Sequence, residues 1–456
     1  MISMSLSKAA AAIDLNYKGE EIIFTGCSID SRATQAGNLF IAINGENFDG
    51  HDYVSKAEEN GAVSSIIEKD INHTKPTLKV SDTRKAMGLL AGKWREELSI
   101  PVVAITGSNG KTTVKEMVSS ILSEISEVHA TSGNLNNDIG VPLTLFGLDK
   151  KHDYAVIEIG ANHPGEIEWL SAIARPNIAV ITQCAPSHLE GFGSVEGVAK
   201  AKAEIYSGLQ TSGTAIINAD DSFADFWKDT CQNKNQLTFG MKSKDAIVRA
   251  EKIEFIPEHA TVNFNLVFGK DEVGISLPLS GDHNVMNALA AAACCLSLDI
   301  SLETIKGGLE KMVPVKGRLQ IKKGKRNVRI IDDTYNANPR SLSAAIDVLS
   351  AYNGSRYLVL GDMGELGDLA IQHHVEAGEI AKAANIDGLF SIGELSLNAM
   401  QSYGKGASHF ESFDGLEDAL ERTLADVMNE ETTILVKGSR YMKMEQIVNA
   451  LMEEQE

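Results

Sequence analysis

Residues 100–106, IPVVAIT, run directly into GSNGKTT and then into VKEMVSSILSEI. The first piece is a short, β-branched apolar run, which predicts a buried strand. In the last piece Val114, Met117, Val118, Ile121, Leu122 and Ile125 recur at helical spacing and make one apolar stripe. A strand that turns through glycines into a helix commits this stretch to a β–α unit, and the chain around it to an α/β sheet. Free N–H groups and the helix dipole at such a turn favour an anion. Gly107 and Gly110 let the backbone curl round phosphate oxygens with no Cβ in the way. Lys111 is then placed to reach the outer phosphates, and the Thr112 hydroxyl to bind Mg²⁺. The common phosphate loop would carry a further glycine where Ile105 stands, so a variant loop opening Thr106-Gly107 is expected. The alternative is a glycine-rich turn that binds nothing.

The rest of the chain repeats the same alternation. YAVIEIG, IAVIT and TAIIN read as strands separated by helices, and SGDHNVMNALAAAACCLSL as a loop followed by an alanine-rich helix. VRIID, a helix from Ser341, RYLVLGD, LFSIG and TTILVKG restart the pattern. The expected fold class is α/β, with mostly parallel sheets covered by helices. Three units are expected: 1–82 with short strands and turns, 83–314 around the phosphate loop, and 315–456. The formal charge of −20 argues against broad binding to nucleic acid or to an anionic membrane. No apolar run approaches bilayer length, no leader-like segment opens the chain, and the five cysteines lack metal-type spacing. A cytoplasmic enzyme with reduced thiols is the default expectation.

Other constellations can carry chemistry. Glu158 closes a predicted strand, where α/β sheets bind ligands, and a carboxylate there suits Mg²⁺; an acidic strand end can equally be a solvated charge. His188, in APSHLEGFGS, is either a ligand or an exposed loop histidine. Lys202 lies on a predicted helix with Lys200 two residues away, and reads by itself as a surface lysine. Asn284 and Asn287 lie three apart near a helix start, where their amides could read an adenine edge or cap the helix.

Taken in order, TGSNGKTT, TSGNLNNDIGVPLTL, EIGANHPGEI, SHLEGFGS, AKAEI, GDHNVMNALAAAA, the Gly317-Arg318 pair and DDTYNANPRS resemble the Mur ligase family over nearly the whole chain. The resemblance implies three domains: an N-terminal domain for a UDP-linked substrate, a central ATP-binding domain with a mostly parallel sheet, and a C-terminal Rossmann-like domain for the incoming amine. It also implies a variant phosphate loop beginning Thr-Gly. By that resemblance Gly107, Ser108, Asn109, Gly110, Lys111, Thr112 and Thr113 hold ATP, with Asn284 and Asn287 at the adenine. Arg318 reaches the γ-phosphate, Asp333 the ribose, and Tyr335 lies near the nucleotide. Thr112, Glu158, His188 and a carbamylated Lys202 hold Mg²⁺. Ser31, Arg32 and Asn136 contact the UDP-linked substrate, while Asn336 and Asn338 sit on the side of the amine.

The implied reaction is ATP-dependent amide formation through an acyl phosphate, in a monomer whose third domain closes on a hinge near residues 312–317. Tyr335-Asn336 and the IDSR…GENFDGH arrangement favour addition of D-alanyl-D-alanine to UDP-N-acetylmuramoyl-tripeptide. Ala337-Asn338-Pro339-Arg340 comes within one residue of the Asp-Asn-Pro-Arg often found in members adding diaminopimelate, which keeps addition of lysine or diaminopimelate as the alternative. Folylpolyglutamate synthase is disfavoured by the N-terminal unit. A guanine-nucleotide switch is disfavoured by the lack of an Asn-Lys-x-Asp stretch. Gly361, Gly364 and Gly367 miss the dinucleotide-binding spacing.

Overall fold

The computed structural model describes residues 1–45, 47–187, 189–426 and 431–452. Near the N-terminus Cys27–Ser28, Leu39–Ile41, Ser64–Ile67 and Thr77–Lys79 form a four-stranded parallel sheet, and Ser3–Ser5 pairs antiparallel with Ile23–Thr25. The helix Thr83–Glu97 follows, capped by the Asp82 side chain accepting from the Lys85 N–H. It packs on the helix Glu166–Ala174 so closely that a Cβ on Gly88 would lie 2.6 Å from the Trp169 ring. Ile2, Met4 and Leu6 share one apolar core with Leu90, Leu145 and Ile157, so the first segment of the chain is sealed against the central one.

The central sheet is nine-stranded. From one edge it runs Asp271–Leu277, Thr261–Phe268, Val248–Ile256, Asn235–Gly240, Thr214–Asn218, Ile178–Ile181, Val102–Thr106, Tyr154–Glu158 and Val128–Ala130. The strands flanking the phosphate loop are parallel and buried on both faces, which is why they read as continuous apolar runs. The three strands from Val248 to Leu277 are an antiparallel meander at the far edge, an addition to the expected alternation. In Asp271–Leu277 only Val273, Ile275 and Leu277 are buried, the period-two signature of a sheet with one solvated face.

The helix Lys111–Ser123 packs on this sheet beside the alanine-rich helix Asp282–Leu296, whose Ala288 to Ala293 are buried. Small side chains there allow close helix packing. The apolar stripe expected on the first helix is present from Val114 to Leu122, but Ile125 is 52% exposed because the helix has already ended at Glu124.

The C-terminal sheet is six-stranded, in the order Gln320–Lys323, Arg329–Asp333, Thr432–Lys437, Ser355–Gly361, Gly388–Ile392, Ala407–Phe410. All neighbours are parallel except the first pair. The helix expected from Ser341 begins two residues earlier, at Pro339, because Asn338 and Ser341 form a reciprocal cap. Both large sheets present strand carboxyl ends to one shared cavity, the place where open α/β sheets bind ligands.

Candidate active site

The phosphate loop is shaped by neighbours that tolerate no extra atoms. At Gly107, φ is +148° and a Cβ would sit 1.9 Å from Thr182 Oγ1; at Gly110, φ is +82° and a Cβ would sit 2.3 Å from Asn287 Oδ1. Glycine is required at both positions. The loop is pinned to the segment after the strand Ile178–Ile181. The Ser108 N–H donates to Gln183 O at 2.9 Å, Ser108 Oγ to Ala185 O at 2.9 Å, and Thr182 Oγ1 to Asn109 O at 2.5 Å. Lys111 Nζ donates to Gly107 O at 2.8 Å, which curls its ammonium over the loop. Burial holds that ammonium below the ordinary lysine range, with nearby Glu158 opposing the shift. Thr112 lines the cavity and Thr113 is buried.

Glu158 ends its strand 2% exposed. Its Oε1 accepts from Asn136 Nδ2 at 2.9 Å, and its backbone N–H donates to Thr131 Oγ1 at 3.0 Å. Its Oε2 is buried with no hydrogen-bond partner among the described residues. A buried, unpaired carboxylate oxygen is costly unless a cation meets it. It is therefore not the solvated strand end that the sequence allowed.

Lys202 differs most from its reading as a surface lysine. It is 1% exposed, and its Nζ lies 5.6 Å from the centroid of the Phe192 ring. Burial first, and the Lys111 charge second, pull its ammonium down to about 7. Residue spacing could not show this, because the cover comes from Phe192 and from the core under the helix Val195–Ala203. His188 lies outside the described residues.

Among the described residues no three His, Cys, Asp or Glu side chains cluster as a metal site. The cavity does offer the Glu158 carboxylate and the Thr112 hydroxyl, both hard oxygens. That fits Mg²⁺, which takes few protein ligands and fills its octahedron with phosphate and water. Asn284 is buried and donates to Ser280 O at 2.8 Å, and Asn287 Nδ2 donates to Asn284 Oδ1 at 3.1 Å. Neither caps the helix, whose N-cap is Gly281.

The C-terminal unit closes the cavity from above. Arg318 Nη2 donates to Thr112 Oγ1 at 3.0 Å, its guanidinium lies 4.3 Å from the centroid of the Tyr335 ring, and its buried Nε has no partner among the described residues. Asp333 is 8% exposed. Asn336 is exposed and lines the cavity. Asn338 reaches the phosphate loop: its Nδ2 donates to Asn109 Oδ1 at 2.7 Å while its Oδ1 caps the following helix. Arg340 Nη1 donates to Cys184 O at 2.9 Å.

Ser31 and Arg32 are not part of this cavity. Ser31 is buried and its carbonyl accepts from Asn60, while the exposed Arg32 is folded onto Asp30. His283 and Lys437 are among the cavity residues that the sequence analysis does not single out. Burial pulls His283 down to about 4, so it lines the cavity as neutral imidazole. Lys437 is 1% exposed and paired with Asp333. The signal for Lys437 was available, a lone cation ending the apolar strand TTILVK. The whole cavity is about 940 Å³, large enough for a nucleotide and part of a second substrate.

Comparison with known proteins gives one answer along the chain. The Mur ligase family catalytic domain matches residues 23–95, the Mur ligase middle domain 105–295, and the Mur ligase glutamate ligase domain 317–440. The UDP-N-acetylmuramoyl-tripeptide–D-alanyl-D-alanine ligase of Escherichia coli (strain K12) is 43% identical over 453 residues, 99% of each chain. A crystal structure of MurF from Acinetobacter baumannii superposes with a TM-score of 0.93 at 36% identity, covering 100% of both chains. The MurF ligase of Thermotoga maritima, solved in complex with ADP, superposes with a TM-score of 0.82 at 26% identity, covering 94% of this chain and 97% of that one. Matched from end to end in sequence and in fold, this chain belongs to the Mur ligase family.

Proposed function

We propose that the protein is an ATP-dependent ligase that joins D-alanyl-D-alanine to UDP-N-acetylmuramoyl-tripeptide through an acyl phosphate. The reaction class is carried by one observation: a phosphate loop, a buried Glu158 oxygen with no partner among the described residues and a buried Lys202 face a single cavity. The choice of substrates is supported by full-length relatives named for those two compounds.

A carboxylate does not react with an amine at neutral pH, because oxide is too poor a leaving group; phosphorylation replaces it with phosphate. Phosphoryl transfer to an anionic acid gathers negative charge, so cations must meet it. The loop N–H groups and Lys111 cradle the phosphates, and the guanidinium of Arg318 approaches from the opposite domain. Thr112, Glu158 and a carbamylated Lys202 would hold Mg²⁺, which supplies charge neutralisation between phosphates and acid. A lysine ammonium held near pH 7 is half neutral there, and the neutral amine is the form that reacts with CO₂. The resulting carbamate replaces a cation with an oxygen anion. Asn284 and Asn287 face the adenine, Asp333 and Tyr335 the nucleoside, and Ser31, Arg32 and Asn136 the UDP-linked substrate. Asn336 lies nearest the entering amine, and Asn338 joins the amine side to the phosphate loop. Arg318, Asn338 and Arg340 all bond across to the central unit, which closes the site and excludes water from the acyl phosphate. Gly317, at φ +70°, gives the chain a pivot within the proposed hinge at 312–317.

ADP release should require both UDP-N-acetylmuramoyl-tripeptide and D-alanyl-D-alanine, with neither alone giving more than background in a coupled assay. Equal turnover of the UDP-linked dipeptide with free lysine or diaminopimelate would move the protein to the neighbouring step.

A further inference from the structure

Lys437 is a fully buried cation remote in sequence from every phosphate-binding residue, and it makes two bonds. Its Nζ pairs with Asp333 Oδ2 and also donates to Asn336 O at 2.9 Å. Asp333 Oδ1 accepts from the Leu319 N–H at 3.2 Å. Leu319 is held at φ +48°, a left-handed conformation that a leucine adopts only when its surroundings impose it. One residue earlier, Arg318 rests on the Tyr335 ring and reaches Thr112. The Tyr335 N–H donates to Gly317 O at 3.0 Å, so the segments 317–319 and 333–336 are fastened to each other.

We propose that Lys437 is a positioning residue for phosphoryl transfer: by fixing Asp333 and the Asn336 carbonyl it locks Leu319, and through Leu319 it aims the Arg318 guanidinium at the phosphate loop. This rests on the reading of Arg318 as the cation that meets the transferred phosphate. An ion pair that only joined the strands Arg329–Asp333 and Thr432–Lys437 would not need the second donation to Asn336, nor would its loss be felt through Arg318. The same lysine thereby ties the nucleotide side of the loop, at Asp333, to the amine side, at Asn336.

The test is a double-mutant cycle on the full-length protein, paired with hydrogen exchange on the ligand-free protein. Lys437→Met should lower kcat/KM for ATP about 100-fold, the scale of one preorganised charge, while affinity for the UDP-linked substrate by calorimetry stays within about twofold. In an Arg318→Ala background the same change should cost less than about threefold, because coupled residues do not add. Amides of residues 317–336 should exchange at least about tenfold faster in Lys437→Met, with the sheet of residues 27–79 unchanged. A full 100-fold loss in the Arg318→Ala background, or unchanged exchange at 317–336, would overturn the proposal. Should Lys437→Met fold poorly, Leu319→Gly carries the test without touching the ion pair: a drop of about tenfold in kcat/KM for ATP supports it, and a wild-type value refutes it. A wild-type protein that forms no amide would sink the functional reading instead, and the exchange data would still decide whether Lys437 holds the segment.

Discussion

Lys202→Ala is expected to lose about 10²- to 10³-fold in kcat, the size of one preorganised electrostatic group, with the protein still folded. Removing a buried cation relieves a desolvation penalty, so the melting temperature should fall little despite the space left beside Phe192. If the loss is that of an oxygen anion formed on the lysine, short carboxylic acids such as acetate should restore part of the rate by entering the space. The wild-type pH profile carries a second signature. With total dissolved CO₂ held constant, activity should rise as pH passes about 7, where the Lys202 amine loses its proton. The sign for stability follows from the same shift. The folded lysine releases its proton near 7 and the unfolded one at 10.5, so the unfolded state binds more protons between those values. The destabilisation from this group is therefore full below pH 7 and fades as pH rises towards 10.5. A Lys202→Ala enzyme of wild-type rate would remove the residue from the site.

Glu158→Gln is expected to be nearly as damaging, through a different route. Glutamine keeps the shape and keeps an oxygen to accept from Asn136, so the strand end and the loop carrying Asn136 should stay in place. What is lost is the charge on Oε2, the buried oxygen without a hydrogen-bond partner among the described residues. About a 100-fold fall in kcat is expected, together with a higher Mg²⁺ requirement, read by titrating Mg²⁺ at saturating ATP. Affinity for the UDP-linked substrate should stay within about twofold, since the glutamine oxygen still accepts from Asn136 and since Ser31 and Arg32 lie outside the cavity. An equal loss in substrate affinity and turnover would point to misfolding rather than to lost charge.

These two residues also show what the sequence made legible. Strand, glycines, Lys111 and Thr112 are contiguous, so their geometry follows from local rules, and the strand, turn and helix stand as read. Glu158 is placed by its own strand, and only its burial depends on distant packing. Lys202 could be selected only by family resemblance, because its burial comes from distant chain packing over an otherwise ordinary helix. Lys437 and Asp333 face each other from neighbouring parallel strands far apart in sequence, a register that no short window reveals. The edge meander from Val248 to Leu277 was legible in the alternation of Val273, Ile275 and Leu277, but it lies outside the repeating strand–helix pattern that organised the reading. The bond from Asn338 to Asn109 joins residues of two different sheets' loops, so the Asn-Pro motif shows the helix cap but not this cross-link.

The chemistry itself can be followed by one label. UDP-N-acetylmuramoyl-tripeptide carrying ¹⁸O in its reacting carboxylate, incubated with ATP, Mg²⁺ and D-alanyl-D-alanine, should yield inorganic phosphate bearing one ¹⁸O for every amide formed. That transfer requires a bond between the acid oxygen and the γ-phosphorus. Unlabelled phosphate, or ADP released with no amide product, would contradict a cavity built to activate an acid by phosphorylation.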